Sequence, residues 1–204
     1  MKLYFSPGAC SLSPHIVLRE LGLPHELVRV DLKAKRTGDG RDFRAVNPKG
    51  YVPVLELDDG TILTEGPAIV QYLADRKPEA GLAPAGGTLP RYRLQEWLNF
   101  ISTELHKQFS PLFNPATPAE IAAAQRTRIG DRFGFIAPTL ERQDYLLPSG
   151  FSVADAYLYT ILTWAPAVGI DLSAWPSLGR YKSRVEARPG VAATLAAERE
   201  AKKV

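Results

Sequence analysis

The chain contains one cysteine, Cys10, and its surroundings favour thiol chemistry. Cys10 follows Pro7-Gly8-Ala9 and precedes a predicted helix that begins near Ser11 to Pro14. The unpaired N–H groups and the positive end of the helix dipole at such a position lower the pKa of a thiol and favour the reactive thiolate. A small buried apolar residue is the alternative interpretation. Position 13 is serine, so Cys10 has no internal resolving thiol, which excludes dithiol redox cycling.

Glu65 lies in the tetrapeptide Thr64-Glu65-Gly66-Pro67, just before a second predicted helix. A carboxylate beside the free N–H groups of a helix start can hold both ends of an amino-acid zwitterion, with Glu65 on the ammonium and the helix N-terminus on the carboxylate. From this tetrapeptide alone, an ordinary helix cap with Pro67 near the first helical position is the more frequent interpretation.

A polar stripe is predicted on a long helix that runs from Arg91 to Phe109. Asn99, Thr103 and His106 are spaced four and three residues apart, which places them on one side of this helix, beside its apolar face. With Glu104 they offer hydrogen-bonding groups to a ligand held between domains. A lone histidine at a helix margin is more often solvated than catalytic.

The first part of the chain alternates strand and helix patterns. A βαβ unit is followed by a helix or loop and then by a ββα unit, and this order is that of a thioredoxin-like module. The predicted elements are the strand Leu3–Phe5, the helix His15–Leu21, the strand Leu27–Leu32, the hairpin strands Val52–Leu57 and Thr61–Leu63, and the helix Gly66–Asp75.

Val52-Pro53 lies where a strand of this module begins. A proline at the start of a strand is sterically tolerated. In a thioredoxin-like module the corresponding proline is cis and exposes the backbone of the preceding residue to an extended peptide. The dipeptide is weak evidence by itself, because only about 5 % of X-Pro bonds in folded proteins are cis.

A stretch rich in proline and glycine, Lys77 to Pro90, separates this module from a helical region. In that region Ser152, followed three residues later by Asp155, forms a variant of the capping box. The other predicted helices are Ala119–Leu140, Val153–Trp164 and Ser177–Glu186. The expected domains are a thioredoxin-like α/β domain over 1–78, a linker over 79–90 and an all-α domain over 91–204.

Composition and charge exclude several classes of protein. The 25 Lys and Arg residues exceed the 22 Asp and Glu residues by only three. Residues 1–78 carry 11 basic and 10 acidic side chains, and residues 79–204 carry 14 and 12, so no basic face suited to nucleic acid is expected. One cysteine and three scattered histidines exclude an internal disulfide and favour no metal site.

The sequence predicts neither a membrane span nor a secretory signal. The longest uncharged stretch near the C-terminus, Ala156–Ile170, has 15 residues and contains Pro166, whereas a spanning helix needs about 20 apolar residues. The first residues lack the apolar core of a secretory signal. We therefore expect a cytoplasmic protein without a membrane partner.

Several segments together resemble a known family over nearly the whole chain. They are residues 1–15 (MKLYFSPGACSLSPH), 47–55 (NPKGYVPVL), 63–75 (LTEGPAIVQYLAD), 96–107 (EWLNFISTELHK) and 152–157 (SVADAY). The family is that of the beta-class bacterial glutathione transferases. Each motif alone is modest, but the combination is highly specific, and only residues 115–145 and 200–204 look divergent.

The resemblance implies an architecture and a set of partners. The fold would be a thioredoxin-like βαβ-ββα domain followed by an all-helical C-terminal domain of the glutathione transferase type. The protein would be a homodimer that uses glutathione as a co-substrate, holds no tight cofactor and acts on a small hydrophobic electrophile.

The resemblance also implies a role for each matching residue. Cys10 would lie beside the glutathione sulfur and can hold it as a mixed disulfide. The backbone of Val52 would pair with the cysteinyl part of glutathione, with Pro53 cis. Glu65 and the Gly66 N–H would hold the γ-glutamyl end, and Lys35 would reach the glycyl carboxylate. The helical domain would contribute Asn99, Thr103, Glu104, Leu105 and His106, with His106 near the Cys10 sulfur.

The implied reaction is attack of the glutathione thiolate on an electrophilic carbon, with the enzyme contributing orientation and a lower thiol pKa. Two alternatives remain open: thiol-disulfide exchange or reductive dehalogenation through Cys10, and non-catalytic binding of apolar ligands. The electrophile is not identified by the sequence. Candidate pocket residues are Phe109, Phe113, Tyr157 and Trp164, although aromatic residues at helical spacing more often belong to a core.

Overall fold

The structure is a computed structural model that describes residues 1–202. The chain divides into two compact units. The first unit contains Met1–Ala83 together with the chain from Ala187 onward, and the second contains Pro84–Glu186.

A mixed sheet of five strands forms the centre of the first unit. The strands are β1 (Lys2–Phe5), β2 (Glu26–Asp31), β3 (Arg36–Thr37), β4 (Val54–Glu56) and β5 (Ile62–Thr64). Their order is β3-β2-β1-β4-β5; β1 runs parallel to β2 and antiparallel to β4, with Leu3 opposite Leu27 and Leu55. This confirms the thioredoxin-like prediction. The two-residue strand β3 was not predicted, because it is too short to show an alternating pattern.

Two helices of the first unit follow the predicted order. Helix α1 (Leu12–Glu20) begins in the range expected after Cys10, three residues before the predicted helical pattern His15–Leu21, and α2 (Gly66–Asp75) has the predicted bounds. Pro14 is tolerated as the third residue of α1, because the first N–H groups of a helix have no partner within the helix. Leu12 and residues 16–18 are buried in the core.

A last helix, α7 (Pro189–Ala201), packs against α1 in the first unit. The sequence analysis assigned this segment to the all-α domain over 91–204 and predicted no helix within it. The last residue of that range, Val204, lies outside the described residues. The buried residues of α7 are Val191, Thr194 and Glu198, which have helical spacing, but two of the three are polar. An apolar pattern was therefore missing, and the contacts of this segment with the first unit include the polar ones of Glu198 with Gly8 and His15.

Helices make up the second unit. They are α3 (Leu89–Phe100), α4 (Ala119–Arg142), α5 (Val153–Leu162) and α6 (Pro176–Glu186). The predicted uniform helix over 91–109 is wrong in its second half, because Ile101–His106 is π-helical before another α-helical turn at Lys107–Phe109. A π-helical turn is wider than an α-helical one, so the positions expected from α-helical spacing shift around the axis.

Helix α5 is the centre of the second unit, since every residue from Val153 to Leu162 is buried. The capping box at its start is present: Ser152 donates from its backbone N at 2.8 Å and from Oγ at 2.7 Å to Asp155 Oδ2. Leu146 N donates to Asp155 Oδ1 at 2.8 Å, and the Tyr181 hydroxyl lies 3.2 Å from the same oxygen. This carboxylate therefore links the start of α5 to the preceding loop and to α6.

Among residues 1–202, no helix combines the length and the apolar character that crossing a bilayer requires.

Candidate functional site

The Cys10 thiol lies on a turn between β1 and α1. The Ser6 carbonyl accepts from Ala9 N at 3.0 Å and from the Ser11 hydroxyl at 3.2 Å, and Ser11 Oγ accepts from Ser6 N at 3.1 Å. Gly8 adopts φ +77°, a left-handed conformation that favours glycine. The turn therefore places Cys10 two residues before the first residue of α1.

Three of the predicted glutathione contacts lie close to the Cys10 turn. The Cys10 thiol donates to the Val52 carbonyl with a sulfur–oxygen distance of 3.1 Å. The Val52–Pro53 bond is cis, as the resemblance implied. Gly66, at the start of α2, is so near to Pro53 that a Cβ on Gly66 would lie 3.9 Å from the Pro53 Cγ. The first unit thus brings a thiol, the start of a buried strand and a helix N-terminus together.

Lys35 is held against the loop that precedes Val52. Its Nζ donates to the Gly50 carbonyl at 2.9 Å and lies 5.5 Å from the centre of the Tyr51 ring. The loop itself is fixed by Asn47, whose Nδ2 donates to the Tyr51 carbonyl at 2.8 Å. Lys35 has φ +57°, although it is not glycine. Non-glycine residues with positive φ are uncommon, and such backbone conformations often occur at functional sites.

Glu65 is the second non-glycine residue with positive φ in the described part of the chain, at +70°. It precedes α2, where Pro67 is the second helical residue as the cap interpretation expects, but the Glu65 side chain makes no capping hydrogen bond. Instead, the carboxylate forms an ion pair with Lys49, whose Nζ also lies 3.1 Å from Thr64 Oγ1. The Glu65 side chain is 71 % exposed and therefore accessible to a ligand.

The predicted site residues of the second unit lie on the π-helical turn and just before it. Thr103 Oγ1 donates to the Asn99 carbonyl at 3.0 Å, and both residues are exposed. Glu104 is paired with Arg132 at 2.8 Å. Leu105 is fully buried.

His106 belongs to a cluster of aromatic rings in the second unit. Its Nδ1 lies 2.6 Å from the Tyr157 hydroxyl, and its ring is 4.9 Å from that of Trp164. Trp164 in turn contacts Phe109 and Phe113, with ring centres 5.7 and 5.5 Å away. Phe109, Tyr157 and Trp164 are buried, whereas Phe113 is 52 % exposed. The cluster is therefore largely core with an apolar edge that remains accessible.

The hydroxyl groups of Tyr4, Ser11 and Ser13 are engaged or buried. Tyr4 is 1 % exposed, and its hydroxyl donates to Glu56 at 2.6 Å. Burial, and next the contact with Glu56, raise the pKa of Tyr4 to about 12. Ser11 bonds to Ser6 as described above, and Ser13 is buried. Cys10 therefore remains the first choice for chemistry in this unit.

Sequence reasoning missed two charged residues that contact this region. Lys49 lies in the quoted motif over 47–55, but the motif gives no sign that its ammonium reaches Glu65 sixteen residues later. Glu198, on α7, accepts a hydrogen bond from Gly8 N in the Cys10 turn, 190 residues earlier in the chain. Donor–acceptor pairs at such separations leave no periodic pattern in the sequence.

Comparisons with known proteins agree over both units. The family described as "Glutathione S-transferase, N-terminal domain" matches residues 8–76, and "Glutathione S-transferase, C-terminal domain" matches residues 100–189. The chain is 47 % identical to "Glutathione S-transferase GstA" of Escherichia coli O157:H7, over 97 % of this chain and 98 % of that relative.

Solved structures extend this similarity to the whole fold. A bacterial protein described as a ternary complex of BphK, a bacterial GST, has 59 % identity and a TM-score of 0.96, over 97 % of this chain and 99 % of the other. A beta-class glutathione S-transferase of Sphingomonas chungbukensis has 50 % identity and a TM-score of 0.94, over 97 % and 98 % of the two chains. A sphingomonad glutathione S-transferase with 51 % identity and a TM-score of 0.94, over the same shares, is complexed with glutathione.

Proposed function

Because the chain belongs to the glutathione S-transferase family, with solved relatives in its bacterial beta class, we propose that it joins reduced glutathione to hydrophobic electrophiles with Cys10 beside the glutathione sulfur. One observation carries the role of Cys10. Its thiol lies 3.1 Å from the Val52 carbonyl, next to the cis Val52–Pro53 bond. A cysteinyl peptide that pairs with the Val52 backbone would bring its thiol within reach of the Cys10 sulfur.

In this proposal the first unit binds glutathione along its length. The Val52 backbone pairs with the cysteinyl part, and Glu65 with the Gly66 N–H holds the γ-glutamyl end. Charge-assisted hydrogen bonds of this kind are about twice as strong as neutral ones. Lys35, fixed against the loop before Val52, binds the glycyl carboxylate. The cation and the anion therefore match the two charged ends of the tripeptide.

The second unit supplies further glutathione contacts in this proposal. They come from Asn99, Thr103, Glu104, Leu105 and His106. Leu105 is fully buried, and its part in this proposal rests on the resemblance alone. The contact between His106 Nδ1 and the Tyr157 hydroxyl fixes the orientation of the imidazole ring, so His106 is the proposed catalytic residue of this unit.

The reaction follows from the chemistry of a bound thiol. The glutathione thiolate donates an electron pair to an electrophilic carbon and a carbon–sulfur bond forms, while the proton of the thiol passes to solvent. Where the carbon carries a halogen, the carbon–halogen bond breaks and the halide leaves with the bonding pair. The enzyme contributes orientation and a favoured thiolate.

The helical domain provides the electrophile pocket in this proposal. The accessible edge of the aromatic cluster at Phe113 suits an apolar or aromatic molecule. We further propose a homodimer located in the cytoplasm, with glutathione as a co-substrate rather than a resident cofactor.

Cys10 also supports a second function, glutathione-dependent thiol-disulfide exchange. In that reaction the Cys10 thiolate attacks the glutathione sulfur of a mixed disulfide between glutathione and another thiol; that disulfide breaks, the other thiol leaves as a thiolate, and a disulfide between Cys10 and glutathione forms. Reduced glutathione then attacks the disulfide at Cys10, restores the Cys10 thiol and leaves as oxidised glutathione, so the substrate disulfide is reduced at the expense of two glutathione thiols. Reductive removal of a halide through Cys10 belongs to the same group of reactions, and non-catalytic binding of apolar ligands is the remaining alternative.

The intact mass of the purified protein tests the position of Cys10. Wild-type protein and Cys10→Ala are incubated with oxidised glutathione and weighed before and after treatment with a reductant. We expect a reducible adduct of one glutathione on the wild type and none on the variant. If the wild type gains no adduct, Cys10 does not lie beside the glutathione sulfur and the proposed arrangement is wrong.

Turnover separates conjugation from the alternatives. With a chloronitrobenzene dye and reduced glutathione, we expect the wild type to release chloride and form a thioether. Loss of disulfide reduction with retained conjugation in Cys10→Ala would assign the cysteine to redox chemistry. Binding of glutathione without turnover of either kind would favour the non-catalytic alternative.

A further inference from the structure

Helix α7 inserts one carboxylate, Glu198, beneath the Cys10 turn. Its Oε2 accepts from Gly8 N at 2.7 Å, and its Oε1 lies 3.1 Å from Nδ1 of His15. The Glu198 side chain is only 5 % exposed, and His15 is fully buried on α1. Gly8 precedes Cys10 by two residues and His15 follows it by five. One carboxylate therefore holds the chain on both sides of the thiol.

We propose that Glu198 is a positioning residue for Cys10. By fixing Gly8 against α1, it sets where the thiol lies relative to the helix start and to the Val52 carbonyl. The proposal rests on the proposed function only in assigning Cys10 to glutathione chemistry. The geometry of the turn itself does not depend on which reaction Cys10 serves.

A carboxylate suits this position because both contacts require an acceptor. The Gly8 N–H is a donor, and an ionised carboxylate only accepts, so the His15 Nδ1 carries the hydrogen in this contact. The His15 Nε2 is buried without a hydrogen-bond partner in the described residues, so the ring is oriented through Nδ1. A glutamine in place of Glu198 has one accepting oxygen and cannot serve both donors in the same way.

The other end of the same helix pair offers a matched control. Arg188, just before α7, donates to Glu20 Oε2 from Nη2 at 2.5 Å and from Nε at 3.2 Å. Glu20 is 8 % exposed and ends α1, ten residues after Cys10. Replacement of Glu20 by glutamine therefore weakens the packing of α7 on α1 without touching the Cys10 turn.

The rate of alkylation by iodoacetamide measures the reactivity of Cys10 directly, because the chain has no other cysteine. We expect alkylation of Glu198→Gln at neutral pH to be at least fivefold slower than that of the wild type, with its pH profile displaced to higher pH. For Glu20→Gln we expect a rate within twofold of the wild type and an unchanged profile, although the melting temperature falls in both variants.

The direction of the effect separates position from charge. Removing a buried negative charge favours a nearby thiolate, so a purely electrostatic role predicts faster alkylation of Glu198→Gln. A rate equal to or faster than that of the wild type, or equal slowing in both variants, would overturn the proposal. None of these readouts requires glutathione turnover, so failure of the proposed function would not be mistaken for failure of this inference.

Hydrogen exchange of the Gly8 amide gives a second test on the wild-type protein, should Glu198→Gln fail to fold. A bond to a buried carboxylate predicts exchange at least a hundredfold slower than that of an unstructured amide. Exchange at the unprotected rate would show that Glu198 does not hold the turn, and the proposal would then be wrong.

Discussion

Two helices of this molecule have a carboxylate at their start, and the two carboxylates are held in opposite ways. Asp155, the third residue of α5, is fully buried and accepts from Ser152, Leu146 and Tyr181. Glu65, just before α2, is mostly exposed and makes no capping bond. Both segments contain the same sequence elements, a carboxylate and a helix start, so the difference arises from their surroundings.

The difference teaches how a carboxylate is assigned to the fold or to a ligand. The acceptor sites of Asp155 are occupied by donors from three parts of the second unit, which leaves this group no capacity for a ligand. Glu65 is paired with the flexible ammonium of Lys49 on a surface, where such pairs contribute little to stability. Its positive φ directs the backbone away from a capping geometry. We therefore expect Asp155 to control stability and Glu65 to control glutathione affinity.

The largest effect is expected from Asp155→Ala. The substitution leaves several buried donors without an acceptor, and each unsatisfied buried group costs about 1–3 kcal/mol. We expect the free energy of unfolding to fall by at least about 3 kcal/mol, measured by urea denaturation. The matched control, Glu65→Ala, should change it by no more than about 0.5 kcal/mol. A loss below about 1 kcal/mol for Asp155→Ala would contradict the contrast between the two carboxylates.

The second effect concerns ligand affinity. Glu65→Gln keeps the shape of the side chain but removes the charge that the proposal assigns to the glutathione ammonium. We expect the dissociation constant of glutathione, measured by calorimetry, to rise about tenfold, or about 1.4 kcal/mol. Glu96→Gln is the control, because Glu96 is a similarly exposed partner of Arg93. Equal affinities of wild type and Glu65→Gln would show that Glu65 does not bind the ammonium.

Sequence reasoning predicted the local features of both helix starts. The Ser152–Asp155 capping box has a three-residue spacing that defines it, and α2 has the predicted bounds. The order of strands and helices in the first unit was also predicted, because alternating and helical periodicity are properties of adjacent residues. The cis Val52–Pro53 bond followed from the resemblance rather than from periodicity.

Features that depend on distant residues were not predicted. The partners of Asp155 beyond Ser152, the pairing of Glu65 with Lys49 and the contact of Glu198 with Gly8 all join separate parts of the chain. Helix α7 was missed because its buried face is largely polar. The π-helical turn over 101–106 was missed because the sequence there keeps α-helical spacing. Long-range donor–acceptor pairs and local changes of helix geometry have no periodic signal.

The third prediction uses the pH dependence of Asp155. Burial raises the pKa of this carboxyl to about 6, although the hydrogen bonds that it accepts favour the charged form and act to lower the pKa. The folded protein therefore binds the proton more tightly than the unfolded chain, so the contribution of Asp155 to stability is greatest at low pH and declines as the pH rises through 6. Between pH 5 and 7 we expect the stability gap between wild type and Asp155→Ala to narrow by roughly 1 kcal/mol. A gap that widens with pH would show that the hydrogen bonds outweigh burial.

The smallest effect is expected from Lys49→Ala, which removes the partner of Glu65 and leaves the carboxylate in place. Because the pair is exposed, the free energy of unfolding should change by less than about 0.5 kcal/mol, as should that of the control Arg93→Ala. Glutathione competes with the Lys49 ammonium for the same carboxylate, so its dissociation constant should stay unchanged or fall by up to about twofold. A tenfold weaker complex would mean that Lys49 itself contacts glutathione. It would contradict the model in which the glutathione ammonium replaces Lys49 as the partner of Glu65.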